Sequence, residues 1–124
     1  MSEFSTIVYA VDENIARITL NRVDVRNAQD KTMLYELNYA FDQAAQDDEV
    51  KAIVLDANGP HFSSGPDLAD QTSMEEFQPV SNWGGFGKAG AEGYQSQEED
   101  IYLGLCWRWR NLPKPTIAQV HGKV

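Results

Sequence analysis

The chain has 124 residues, 42% of them hydrophobic and 23% charged, with one cysteine and a formal net charge of −9. This is about one modest globular domain. It has no apolar run near the ~18 residues of a membrane helix, and Met1-Ser2-Glu3-Phe4 lacks the basic and apolar regions of a secretory signal. The lone Cys106 excludes an internal disulfide, no Cys or His pair has metal-ligand spacing, and the acidic balance opposes nucleic-acid binding, which needs a concentrated basic surface. Cytoplasm is the default location. An anionic small ligand stays open, because a few local cations or a helix N-terminus can hold a phosphate.

Thr6 to Val11 and Ile15 to Leu20 are short β-rich runs separated by Asp12-Glu13-Asn14, which predicts an antiparallel hairpin. Asn21 to Gln29 is a polar connection holding Arg22 and Arg26. Asp30 then suits a helix N-cap. Leu34, Leu37, Phe41 and Ala44 recur at helical spacing, with Glu36, Asn38, Asp42 and Gln43 on the polar face, so the helix runs to about Asp47. The continuous apolar centre of Lys51 to Asp56 predicts a strand buried on both faces. Ala57 to Gly65 turns sharply after it, at the kind of strand end where open α/β sheets bind ligands.

From about Gln71 to Gln97 periodicity is lost. Five glycines sit among Trp83, Phe86 and Tyr94, a long loop excursion whose aromatics either pack on the parent domain or a neighbouring subunit, or form a lid or wall of a ligand pocket. Helical spacing returns from Glu98 to Asn111, where Ile101, Leu105, Trp109 and Leu112 share a face. Glu98-Glu99-Asp100 suits the start of that helix, and Arg108 and Arg110 its end. Pro113 and Pro115 stop it. Thr116 to Val120 reads as an interior strand, and His121-Gly122-Lys123-Val124 begins a turn.

Four segments in this order resemble the enoyl-CoA hydratase/isomerase (crotonase) family: Ile18-Thr-Leu-Asn-Arg22 leading to Arg26-Asn27-Ala28; Val50-Lys-Ala-Ile-Val-Leu55; His61-Phe-Ser-Ser-Gly-Pro-Asp-Leu68; and Leu112-Pro-Lys-Pro-Thr-Ile-Ala-Gln-Val-His-Gly122. The resemblance is to the N-terminal half of such proteins. It implies an α/β fold, a crotonase-like spiral of ββα units that is incomplete in this chain. It also implies trimers or hexamers, and coenzyme A bound as part of the substrate with no tightly held cofactor. The shared mechanism is an oxyanion hole, in which two backbone N–H groups hold a thioester oxygen as it becomes enolate-like.

In that family one donor is the residue after the glycine of the third segment, and the other comes from a glycine-rich turn beyond the fourth. Here the residue after Gly65 is Pro66, which has no N–H; Gly65 becomes a possible substitute donor. The second donor and the acid and base of relatives lie beyond Val124, so the chain is expected to need the remainder of the protein or a complementary chain packed on Thr116 to Val124.

The residues expected along coenzyme A are Arg22, Arg26, Asn27, Ala28, Ser63, Ser64, Gly65, Pro66, Asp67 and Leu68. Arg22 and Arg26 are either phosphate contacts or solvated loop cations, and Asp67 is a local cap or a ligand contact. His61 and His121 have no nucleophile or carboxylate in a useful pattern and are assigned to surface or turn roles. Glu98 and Glu99 are a solvated helix start, or acids if the excursion folds over the pocket. Cys106, among aromatics on a helix, is expected to be buried and inert.

The leading expectation is hydration of a 2-enoyl-CoA, with isomerisation, decarboxylation or thioester hydrolysis possible on the same scaffold. The rival is a non-catalytic acyl-CoA-binding protein, which Pro66 favours. RNA binding, known in the wider family, is opposed by the acidic balance.

Overall fold

The computed structural model describes residues 3–81 and 83–124. The hairpin forms as β1 (Ile7–Asp12) and β2 (Ile15–Leu20). They pair antiparallel from Ile7 with Leu20 to Asp12 with Ile15. Only Glu13 and Asn14 lie between the strands, both at positive φ of 49° and 68°. A two-residue turn of this hand matches the natural twist of the strands.

The helix α1 (Lys31–Gln46) crosses over to β3 (Ala52–Ala57), which lies parallel to β2. Asp30 is its N-cap, accepting a hydrogen bond from Met33 N at 2.7 Å. At its other end Lys114 Nζ donates to the carbonyls of Ala44 and Asp47 at 2.8 and 2.6 Å, a cation placed where the helix dipole is negative. β4 (Thr116–Ala118) then adds parallel to β3, giving a sheet in the order β1-β2-β3-β4.

One face of this sheet is covered. Ile7, Ile18, Leu20 and Ile53 meet Met33, Leu37, Phe41 and Ala44 of α1 in the main core. β2 alternates as a half-buried strand should, with Ala16, Ile18 and Leu20 inward. Here β3 departs from its expected burial on both faces. Only Ile53 is fully buried, because α1 lies on one side and the opposite side carries the Arg17–Asp56 ion pair at 2.7 Å. β4 pairs with β3 alone among the described residues, its side chains are exposed, and it ends at Ala118 and not at the expected Val120.

The excursion is shorter than its composition suggests. After a single helical turn at Met74–Glu76, helix begins at Gly90. It runs through α2 (Gly90–Glu98), a π-helical segment (Glu99–Gly104) and α3 (Leu105–Arg110) without a break. The acidic triplet therefore lies in mid-helix and not at a start. Ile101 and Leu105 pack on Leu34 in a second cluster, and Trp109 joins it to the main core. Asn38, expected on the polar face of α1, is buried between the helices, where Oδ1 accepts from Arg108 Nε at 3.0 Å and Trp109 Nε1 at 3.3 Å. Cys106 is exposed rather than buried, since it faces away from the Leu105 side of its helix.

Asp100 ties the excursion down. Its carboxylate, 1% exposed, accepts from Tyr35 Oη at 2.7 Å, from Val80 N and Ser81 N at 3.0 and 2.9 Å, and from Ser81 Oγ. Burial, and then the bond and charge of Asp100, push the Tyr35 phenol far above its ordinary pKa. The stripe Gly93, Ser96, Asp100 and Gly104 is buried. A Cβ at Gly93 would sit 1.7 Å from the Lys88 carbonyl, so only glycine lets the loop approach there. Replacing Asp100 with alanine strands the Tyr35 hydroxyl and two backbone N–H groups. The expected loss is about 2–3 kcal/mol in denaturant unfolding, with Asp100→Asn milder because it keeps an acceptor for Val80 and Ser81. An alanine variant as stable as the parent would refute this role.

Candidate functional site

The segments around Arg26-Asn27-Ala28 and Ser63 to Leu68, far apart in sequence, lie side by side. Gln29 N donates to Gly65 O, and Asp67 N to Gln29 O, both at 2.9 Å, making a parallel bridge between Gln29 and Pro66. Ser64 N donates to Arg26 O at 3.0 Å.

Asn27 organises this contact. It is 1% exposed and sits at φ +52°, in the left-handed region that asparagine tolerates better than most residues. Its Oδ1 accepts from Arg22 N at 2.7 Å, while Nδ2 donates to the carbonyls of Asn58 at 2.9 Å and His61 at 3.2 Å. Ser63 completes the knot. Its hydroxyl donates to Asn27 O at 2.8 Å and accepts from Gln29 Nε2 at 3.0 Å and Gly65 N at 3.1 Å. That exhausts what one hydroxyl offers.

Each residue singled out in the sequence can now be placed. Arg22 turns inward: Nη1 donates to Ala28 O at 2.6 Å and Asp67 Oδ2 at 3.1 Å, and lies 3.5 Å from Asp30 Oδ2. Its Nη1 is therefore engaged by the scaffold. Arg26 is exposed and makes no ion pair among the described residues. Ala28 is buried. Asp67 supports its own loop, with Oδ1 accepting from Ala69 N at 3.0 Å. Leu68 is 99% exposed, and Ser64 and Pro66 are exposed too. Gly65 sits at φ +94°, and a Cβ there would meet nothing within 4 Å, so the conformation and not crowding calls for glycine. Its N–H, a candidate substitute donor, is already held by Ser63 Oγ.

Two clefts open onto this loop. The first, about 370 Å³, is lined by Arg26, His61, Ser63, Ser64, Lys123 and Val124. Lys123 reads in the sequence as part of a turn and not as a residue along coenzyme A. It arrives because residues 121–124 lie along the loop after β3: Phe62 N donates to the carbonyls of His121 and Lys123 at 3.0 and 3.1 Å. His121 Nε2 is 2.7 Å from Gly59 O, and Lys123 N donates to His61 Nδ1 at 3.1 Å, so both histidines serve the turn. The second cleft, about 300 Å³, lies between the Asp67–Asp70 loop, the start of α1 and the α2 helix with its π segment.

Asp70 holds that loop to α1. It accepts from Lys31 N at 2.8 Å, Thr72 N at 2.9 Å and Thr72 Oγ1 at 2.7 Å, with Lys31 Nζ at 3.4 Å. Burial alone would raise its pKa. The Thr72 hydroxyl, the Lys31 and Thr72 N–H groups and the Lys31 charge outweigh it and lower the value to about 2.

The sequence model of the enoyl-CoA hydratase/isomerase family matches residues 10–124. A Mycobacterium tuberculosis protein that carries an enoyl-CoA hydratase name is 44% identical over 98% of this chain and 41% of its own length. The Streptococcus mutans trans-2-decenoyl-[acyl-carrier-protein] isomerase is 28% identical over 98% of this chain and 42% of its own. Among solved structures, an enoyl-CoA hydratase/isomerase from Xanthobacter autotrophicus Py2 superposes with a TM-score of 0.76 at 37% identity, covering 97% of this chain and 40% of that one. The chain belongs to the enoyl-CoA hydratase/isomerase family. Its mixed α/β structure is an incomplete portion of the crotonase fold, and it spans about two-fifths of the length of these relatives.

Two predictions follow from the geometry. Asn27→Ala leaves Arg22 N and two carbonyls without partners and puts alanine in a left-handed conformation. It should destabilise by about 2–3 kcal/mol, measured by denaturant unfolding, and an unchanged midpoint would contradict the knot. Because the folded pKa of Asp70 is depressed from 3.8 to about 2, its contribution is present above pH 3.8 and lost as pH falls through that window. The stability difference between the parent and Asp70→Asn should therefore shrink from pH 3.8 down to about 2. A difference that does not change with pH would assign the loop's hold to other groups.

Proposed function

We propose that the protein acts on an acyl-CoA thioester, with hydration of a 2-enoyl-CoA as its reaction. The carrying observation is the Ser63–Leu68 loop. It is held rigid by Asn27, Ser63 and Arg22, presents Gly65 at positive φ with open space before it, and borders a cleft with two cations at its edge. Arg26 and Lys123 suit the phosphates of coenzyme A, and the clear space at Gly65 suits a thioester carbonyl. Chain relatives named as hydratases support hydration, and those named as isomerases keep double-bond migration as the nearest alternative on one enolate-type intermediate.

The chemistry asked of this loop is limited. A thioester oxygen gaining negative charge needs preorganised donors. Pro66 has no N–H, and the Gly65 N–H is engaged by Ser63 Oγ at 3.1 Å. For the loop to contribute, Ser63 must release Gly65 when substrate arrives, and Gln29 and Asn27 O remain to hold the hydroxyl. The same observation favours a second reading, an acyl-CoA-binding protein without turnover. The acid, the base and the other donor are assigned to neither reading by this chain. The protein is expected to work as a trimer or hexamer, with the remainder of the fold covering β4 and the turn at 121–124.

Pro66→Ala separates these readings. The bridge to Gln29 uses the N–H of Gln29 and Asp67, not that of residue 66, so the substitution leaves both bonds intact and adds a donor. Loss of one such donor typically costs about 10²–10³ in rate. In the full natural protein, loss of the conjugated enoyl absorbance of crotonyl-CoA should accelerate at least about tenfold. No turnover by either form, with crotonyl-CoA still bound, would establish the binding protein. Unchanged turnover in a folded variant would show that another group already fills the position.

A further inference from the structure

The second cleft has a polarity that the acyl-CoA reading does not by itself require. Its floor is apolar, formed by Leu34, Met74 and Ile101. Most of its polar side chains are already engaged. Gln29 Nε2 donates to Ser63, Lys31 and Asp70 bond one another, Asp67 pairs with Arg22, and Gln97 Nε2 donates to Phe86 O at 2.9 Å. What remains is one helical stripe, Tyr94, Glu98 and Tyr102, at four-residue spacing on α2 and the π segment. Among the described residues the Glu98 carboxylate takes part in no hydrogen bond and no ion pair. Burial, and then the charges of Glu98, Tyr94 and Asp70, raise the Tyr102 pKa, as close neighbours on one wall should.

A carboxylate can only accept. An all-alkyl occupant would strip water from Glu98 and return nothing, which is costly for a charged group. An anionic occupant would meet the Glu98 carboxylate, whereas Asp67 and Asp70 are balanced by Arg22 and Lys31. An apolar body ending in a hydroxyl satisfies both floor and wall. The cleft is also in the right place, since Asp67 and Leu68 line it directly after Gly65 and Pro66. Its volume of about 300 Å³ is at the small end of ligand sites and suits an acyl group rather than a whole coenzyme.

We infer that this cleft receives the far end of the acyl chain and selects acyl groups that carry a terminal hydroxyl, with Glu98 as the specificity residue. The inference rests on the acyl-CoA reading above. Its test is equilibrium binding to the full natural protein of four unreactive probes: free coenzyme A, hexanoyl-CoA, 6-hydroxyhexanoyl-CoA and adipoyl-CoA. The alcohol should bind about tenfold more tightly than hexanoyl-CoA, the scale of one hydrogen bond to a charged group, and adipoyl-CoA more weakly than either. Glu98→Leu should abolish the preference for the alcohol and improve hexanoyl-CoA, while leaving free coenzyme A unaffected. Glu98→Gln, which keeps an acceptor and the helix, should retain part of the preference and relieve the penalty on adipoyl-CoA. If the esters bind but the alcohol has no advantage, or keeps it in Glu98→Leu, the specificity assignment falls and the acyl-CoA reading stands. If neither free coenzyme A nor any ester binds, the acyl-CoA reading itself falls.

Discussion

The hydrogen bonds that Asn27 and Ser63 share are the constraint on which the rest of the site depends. Two largely polar loops, one after β2 and one after β3, meet beside the core, to which they contribute the buried Ala28 and Phe62. Buried polar groups are costly unless paired, and beside the direct backbone bonds between the loops one amide and one hydroxyl satisfy backbone groups from both. The parallel register of β2 and β3 brings their ends level, and the knot then sets the position of Gly65 and Pro66. Arg22 adds a charge-assisted brace from one loop to Asp67 of the other. Nη1 of Arg22 is thereby engaged by the scaffold.

That economy leaves the loop with little free chemistry. Every N–H from Ser64 to Asp67 that exists is used: Ser64 to Arg26, Gly65 to Ser63, and Asp67 to Gln29. Only the contact to the Ser63 hydroxyl can be exchanged without breaking backbone pairing. A thioester carbonyl at this place would compete with a neutral hydroxyl, and a developing oxyanion would compete better, because charged acceptors make stronger bonds.

The helical layer works by a different logic. The α2–π–α3 helix is anchored from within by Asp100, whose four hydrogen bonds hold the Val80–Ser81 turn and Tyr35 of α1. The neighbouring Glu98 carboxylate, on the cleft side, has no partner among the described residues. Two acids two residues apart therefore have opposite fates among the described residues: one is buried and saturated, the other has no partner. The π segment begins between them, at Glu99, and such segments are frequent at functional sites.

Local patterns in the sequence determined the hairpin, the N-cap at Asp30, the buried stripe of α1 and the two loops of the site. Each rests on neighbours within a few residues: alternation, helical spacing, turn residues and the four matched motifs. Contacts across the chain were decided only in three dimensions. Burial of β3 and β4 depends on which layers are present to cover them, and apolar composition cannot report that. Asn38 and Asp100 are buried because partners 70 and 20 residues away supply their hydrogen bonds, while Cys106 is exposed because its helix turns Leu105 inward. The small stripe Gly93, Ser96, Asp100 and Gly104 was a helical signal hidden in a glycine-rich stretch. Glycine lowers intrinsic helix propensity, and close packing of the Lys88 carbonyl on Gly93 overrides that preference only once the loop has folded back.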